Sequence, residues 1–166
     1  MIGRLVPGIL AATMLLGCTQ KQADSTVAGG ELDKVVVAAA PVKAPQDVLA
    51  VKKDATSGDP VVIEGKIKDF VDGAAVFTLV DNSLKSCKDR SHGCTTPWDY
   101  CCEDGTKVAE GSATVKVMGP DNQPVLSSIK GVRKLDHLTP VAVEGKAVKD
   151  AQGNLTVEAT KIYIKS

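Results

Sequence analysis

The chain has 166 residues, with 20 Lys and Arg balanced by 20 Asp and Glu, and only 3% aromatic residues. That length suits one domain plus a tether, with a core of Val, Ile, Leu and Ala, since Phe70, Phe77, Trp98, Tyr100 and Tyr163 are the whole aromatic set. The neutral balance lacks the basic excess from which a nucleic-acid binder draws most of its affinity, so nucleic acid is not an expected partner.

Residues 1–17 have the form of a secretory signal: one Arg4, a mostly apolar run over residues 5–16, then the polar Thr19-Gln20-Lys21-Gln22. The run is shorter than the ~20 residues a membrane-spanning helix needs, and Pro7 and Gly8 interrupt it. The junction Leu15-Leu16-Gly17-Cys18 resembles the lipobox of bacterial lipoproteins. The resemblance implies that the signal is cut before Cys18, whose sulfur takes a diacylglycerol thioether and whose new amino group is acylated, as with palmitate. The expected location is the cell envelope, with Cys18 anchoring the chain to a membrane and the domain facing the periplasm or the exterior. Without Arg4 the mature chain carries a formal net charge of −1.

Residues 18–58 read as the lipidated cysteine and a flexible stalk. Gly29-Gly30, the Ala38-Ala39-Ala40 run, Pro41 and Pro45 offer too little apolar surface to offset ordering entropy. Val35-Val36-Val37 reads as an apolar patch within that stalk. Val48, Leu49 and Val51, followed by Lys52, Lys53 and Asp54, suggest a short helix over 46–55, ended by Gly58. The barrel domain is expected over 59–166. Alternation of Val61, Ile63 and Ile67 with Glu64, Lys66 and Lys68 predicts a first strand. Asp72-Gly73 is a turn dipeptide, and residues 74–81 form a second strand of high β-propensity. A cysteine-rich loop spans 84–106. A third strand covers 113–118, before the Gly119-Pro120-Asp121-Asn122 turn. The spacing of Ile129, Val132, Leu135 and Leu138 predicts a short helix. Strands at 141–148 and 155–164, joined by the loop 150–154, close the chain as a hairpin.

One internal echo stands out. Pro60-Val61-Val62-Ile63-Glu64-Gly65-Lys66 recurs as Pro140-Val141-Ala142-Val143-Glu144-Gly145-Lys146. A glycine inside a strand permits a bulge or a sharp bend, as a small closed barrel needs at its corners. The fold class is therefore mainly β: a five-stranded barrel with one short helix after the stalk. The order of elements resembles the OB-fold, a five-stranded Greek-key barrel. The Val-x-[Ile/Val]-Glu-Gly-Lys pattern, followed by Phe77-Thr78-Leu79-x-Asp81, resembles small exported bacterial domains of that kind. The resemblance covers about residues 59–165.

Cys87, Cys94, Cys101 and Cys102 fall in one stretch, with His92 among them. Assigning Cys18 to lipid leaves these four as an even set, and an exported chain meets oxidising conditions, which favours two disulfides. Four cysteines allow three connectivities. A Cys101–Cys102 bridge would close a strained ring, leaving Cys87–Cys101 with Cys94–Cys102, or Cys87–Cys102 with Cys94–Cys101. The alternative is a Zn²⁺ or Cu⁺ site using Cys87, Cys94, Cys101, Cys102 and His92. Against it stand the absence of a Cys-x2–4-Cys knuckle and the opposite directions that adjacent side chains take in extended backbone. Redox catalysis would want Cys-x-x-Cys, which is absent. Trp98 and Tyr100 in the same loop are the ligand-stacking candidates. The plainer reading packs Trp98 over the barrel end.

Catalytic patterns are missing: there is no nucleophile elbow, phosphate loop or His-Glu-x-x-His. His137, beside Asp136, reads as a solvated helix residue. Glu64 and Glu144 would form a carboxylate pair only if the fold joined them, and alternation turns both outward. The expectation is a non-enzymatic lipoprotein with no cofactor, binding a saccharide, a peptide or another envelope protein, or serving a structural role. Metal handling by the cysteine loop is the alternative, and oligonucleotide binding the third.

Overall fold

The computed structural model describes residues 25–37, 39–90 and 93–165. The expected signal at 1–17, Cys18 and His92 lie outside the described residues. Five strands close a barrel: β3 (Pro60–Phe70), β4 (Val76–Val80), β5 (Ser112–Val117), β6 (Pro140–Lys149) and β7 (Leu155–Ile164). Around it, β3 runs antiparallel to β4, β4 to β5, β6 to β7 and β6 to β3, and β5 runs parallel to β7. This is the strand order of an OB-like barrel. The burial of β5 alternates strictly along its length, so one face supplies the interior and the other meets solvent or the loops. Phe77, Ile63, Ile67, Leu79, Val115, Val143, Val157 and Ile162 fill the interior.

The two copies of the repeated heptapeptide pair with each other. Pro60 faces Lys146 at one end of the ladder and Lys66 faces Pro140 at the other. Gly65 and Gly145 are thus equivalent positions. A Cβ on Gly65 would lie 2.3 Å from the Val80 carbonyl oxygen, and one on Gly145 would lie 2.3 Å from that of Glu158. The ladder between β6 and β7 also shifts register between Glu144 and Gly145. Bare backbone is what permits these close crossings at the barrel corners.

The expected flexible stalk is corrected over much of its length. Residues 25–37 form α1 (Ser25–Val35) and β1 (Val36–Val37), and β1 adds to β7 in parallel. Strand β2 (Gln46–Asp47) adds to β3 in parallel and runs directly into α2 (Val48–Asp54). Leu32, Val36, Val48 and Val51 are all buried in the same core as the barrel residues. They cover apolar surface that the five strands leave open.

A second expectation also fails. Residues 129–138 do not form a helix; a three-residue 3-10 turn (Val132–Lys134) stands there instead. Gly131, Arg133, Lys134 and Leu138 all have positive φ, which breaks any helical run. Ile129 and Leu135 are buried as separate anchors of an irregular connection. The helix between the third strand and its predecessor lies instead at α3 (Gly105–Glu110), where the Asp104 side chain accepts the N–H groups of Thr106 and Lys107 as an N-cap. Among the described residues no helix is long and apolar enough to cross a membrane.

Candidate four-thiol site

The loop between β4 and α3 is tied to the barrel at several points before its cysteines are considered. Tyr100 is buried against Val80 and Leu84. The Asp89 carboxylate accepts the Ser86 amide (3.0 Å) and hydroxyl (2.8 Å), and pairs with Lys66 of β3 at 3.0 Å. Partial burial pushes that carboxyl up, but Ser86 and Lys66 outweigh it and hold it at about 2. Glu103 accepts the Lys85 amide (3.0 Å) and an Arg90 guanidinium N–H (2.7 Å).

Within this frame the backbone crosses itself. The Cys87 N–H donates to the Asp99 carbonyl and the Lys88 N–H to the Pro97 carbonyl, both at 2.8 Å. Residues 87–88 therefore lie beside 97–99. The Glu103 N–H then donates to the Tyr100 carbonyl at 2.9 Å, closing a turn with Cys101 and Cys102 at its two central positions. In a turn, unlike a strand, adjacent side chains can face the same side. That removes the geometric objection to using both at one centre.

The four sulfurs converge. Cys87 Sγ lies 3.0 Å from Cys101 Sγ, Cys94 Sγ lies 3.8 Å from Cys101 Sγ, and Cys101 and Cys102 Sγ are 3.9 Å apart. All four lie within 4.8 Å of one another. No disulfide joins the described cysteines, so the two expected bridges give way to one cluster of thiols. Cys87 forms its buried floor, Cys94 is half-buried, and Cys101 and Cys102 are exposed. Donation from the Cys101 S–H pulls the Cys87 thiol below its ordinary range, and the same contact pushes Cys101 up to about 12. The Arg90 guanidinium is raised first by its hydrogen bond to Glu103, with smaller contributions from Cys102 and Cys87.

The two aromatic candidates separate. Tyr100 is 2% exposed and cannot stack on a ligand, which corrects that expectation. Its hydroxyl has no partner among the described residues, and burial pushes it up to about 12. Trp98 stacks on His137 with ring centroids 4.6 Å apart, and His137 meets Phe70 edge-on at 5.3 Å. His137 Nδ1 donates to the Lys68 carbonyl at 2.5 Å, and its Nε2 lies 3.2 Å from Lys130 Nζ. His137 is therefore a packed link between the cysteine loop and the barrel, not a solvated helix residue. Its neighbour Asp136 gave the sequence no signal of this. A cleft of about 290 Å³ lined by Lys88, Trp98, Lys130 and His137 opens beside the stack. A larger cleft, about 590 Å³, lies elsewhere, between Val42 and Lys43 and residues of β3 and β6. Glu64 and Glu144 do not form a pair: Glu64 is bridged by Lys165, and Glu144 accepts the Tyr163 hydroxyl at 2.8 Å.

No known protein family matches the chain, and no curated protein matches it. The chain has distant similarity to solved structures. OBody AM1L10 bound to hen egg-white lysozyme is 14% identical, covering 76% of this chain and 99% of that one, with a TM-score of 0.41. OBody AM2EP06 bound to hen egg-white lysozyme is 15% identical over 76% of this chain and 96% of that one, with a TM-score of 0.42. A putative aspartyl-tRNA synthetase from Leishmania major Friedlin is 14% identical, with a TM-score of 0.42. This chain spans 26% of that synthetase and is covered over 86% of its own length.

Proposed function

We propose that the chain is a non-catalytic, metal-handling lipoprotein of the cell envelope, anchored through Cys18, whose barrel presents a four-thiolate site for Zn²⁺, with Cu⁺ the alternative soft ion. The observation that carries this reading is the convergence of Cys87, Cys94, Cys101 and Cys102 within 4.8 Å. Four thiolates at the Zn–S distance of about 2.3 Å, arranged tetrahedrally, stand about 3.8 Å apart. The Cys94–Cys101 and Cys101–Cys102 separations of 3.8 and 3.9 Å meet that figure, while Cys87 and Cys101, at 3.0 Å, would part by less than about 1 Å around an ion. Soft sulfur donors select Zn²⁺ or Cu⁺ over hard cations.

The asymmetry of the cluster supports handling over a sealed structural role. Cys87 closes the inner side, while Cys101 and Cys102 face solvent, so an incoming ligand can reach the ion. Arg90 offsets part of the negative charge that four thiolates leave on a divalent ion.

The test is metal content of the full-length lipoprotein purified in detergent, reduced, and loaded with Zn²⁺. One tightly held zinc per chain is expected, with the four loop thiols shielded from a thiol reagent until a chelator is added. Zinc retention no greater than that of Cys87→Ser would sink the reading.

A further inference from the structure

We infer that Cys87 and Cys101 are a redox pair, and that joining them by exchange with an external disulfide expels the metal. The inference rests on the four-thiolate reading and deepens it: occupancy of the site becomes a function of the surrounding thiol–disulfide balance.

The geometry singles out one pair. The Cys87 and Cys101 sulfurs stand 3.0 Å apart, against 3.8 Å for Cys94–Cys101 and 3.9 Å for Cys101–Cys102. A disulfide needs about 2.05 Å, an approach of roughly 1 Å that side-chain rotation supplies. The proximity is built into the backbone, because the Cys87 N–H is bonded to the Asp99 carbonyl, two residues before Cys101. Of the two connectivities that avoid a Cys101–Cys102 bridge, this geometry selects Cys87–Cys101, and so leaves Cys94 with Cys102.

Exposure fixes the order of events. Cys101 is exposed and Cys87 buried, so an external disulfide meets Cys101 first. The Cys101 sulfur, held as a thiolate by the bound Zn²⁺, attacks one sulfur of that disulfide, forming a mixed disulfide and releasing one thiolate. The Cys87 thiolate then attacks Cys101 Sγ and displaces the second thiolate. The external disulfide takes up two electrons and leaves as two thiols, while Cys87 and Cys101 lose two electrons and become one bridge. Zn²⁺ changes no oxidation state. It loses two of its four ligands, and the remaining pair cannot complete the tetrahedral set that structural zinc requires. Release follows.

The experiment uses the full-length lipoprotein in detergent, reduced and zinc-loaded, then exposed to excess oxidised glutathione. Zinc is followed with a chromogenic chelator and bridging with non-reducing mass spectrometry. The expected result is one zinc released per Cys87–Cys101 bridge formed, with rebinding after reduction. A comparison of metal-free variants tests the pairing. Cys94→Ser/Cys102→Ser, which keeps Cys87 and Cys101, should close at least about tenfold faster than Cys94→Ser/Cys101→Ser, which keeps Cys87 and Cys102. Zinc that loads but stays bound through oxidation would overturn the inference and spare the metal site. Equal or reversed closure rates would overturn the pairing. A wild-type protein that never takes zinc would overturn the metal site itself, and metal release with it.

Discussion

Ile63 and Val143 face each other at the centre of an antiparallel ladder whose two strands carry nearly the same heptapeptide. Local two-fold symmetry about that pair sets Gly65 opposite Val141 and Gly145 opposite Val61. Each glycine then passes under the carbonyl of the next strand, where a methyl group would sit 2.3 Å from oxygen. Neither contact can relax by side-chain rotation, because the obstacle is backbone. Gly65→Ala and Gly145→Ala are each expected to cost about 2–4 kcal/mol. Gly105 is the control: a Cβ there meets nothing within 4 Å, and alanine in the first turn of α3 should be neutral or stabilising by up to about 1 kcal/mol. Urea midpoints of the three variants decide it, and equal midpoints would remove the corner-glycine argument.

That symmetry shows why the barrel was legible in the sequence. Strand alternation and the Asp72-Gly73 and 150–154 turns are local signals, and the echo of 60–66 in 140–146 marks two strands that the fold pairs. The rest depended on contacts that no local pattern carries. The spacing of Ile129, Val132, Leu135 and Leu138 imitates a helix, yet Ile129 and Leu135 enter the core from separate irregular turns. The cysteine spacing argued against a single centre, because convergence arises from the turn at 100–103 and the bond between Cys87 and Asp99. Leu32 and Val36 sit among Gly and Ala residues with no sustained period, so nothing local announced that α1 and β1 would bury them in the core.

The Asp81 carboxylate is 2% exposed and fully used. It accepts the Leu49 amide at 2.9 Å, and the Ser83 amide and hydroxyl at 2.9 and 2.6 Å. It thus supplies an acceptor and a negative charge at the first turn of α2, where unpaired N–H groups and the helix dipole favour both. Asp81→Ala should cost about 2–3 kcal/mol, since it orphans a buried donor. Asp81→Asn should cost less, because one oxygen remains. Amide exchange at Leu49 should accelerate in Asp81→Ala more than exchange in β5 does. Unchanged exchange at Leu49 would refute the capping role.

Acid should loosen the β6–β7 hairpin. Asp150 accepts the Asn154 side chain at 2.7 Å and the Asn154 and Gln152 amides at 2.8 and 2.9 Å. The Asn154 side chain first, then its backbone, pulls the Asp150 carboxyl below its ordinary 3.8. A carboxyl whose folded value is depressed stabilises the fold fully above its unfolded value, and that stabilisation fades as pH falls through the folded one. The gap in melting temperature between wild type and Asp150→Asn should therefore shrink between about pH 6 and about pH 2.5. A gap that stays constant would show that the charge on Asp150 does nothing for the loop.

The segment before β3 belongs to the folding unit, and truncation should reveal it. Leu32, Val36 and Val48 are wholly buried and Val51 is 2% exposed, all in the core that holds Ile63, Phe77 and Ile162. Burying one such side chain contributes about 1.5–3 kcal/mol, so removing four approaches the 5–15 kcal/mol net stability of an ordinary domain. The barrel strands alone would also expose the apolar surface that α1 and α2 cover, and the edges of β3 and β7 that β1 and β2 pair. A protein of residues 59–166 should therefore unfold at much lower urea than one of residues 25–166, and bind a hydrophobic dye in buffer. Leu32→Ala in the longer protein isolates the contribution of α1, at an expected cost of about 2–4 kcal/mol. Equal urea midpoints for the two lengths would mean that residues 25–58 only rest against a barrel that stands alone.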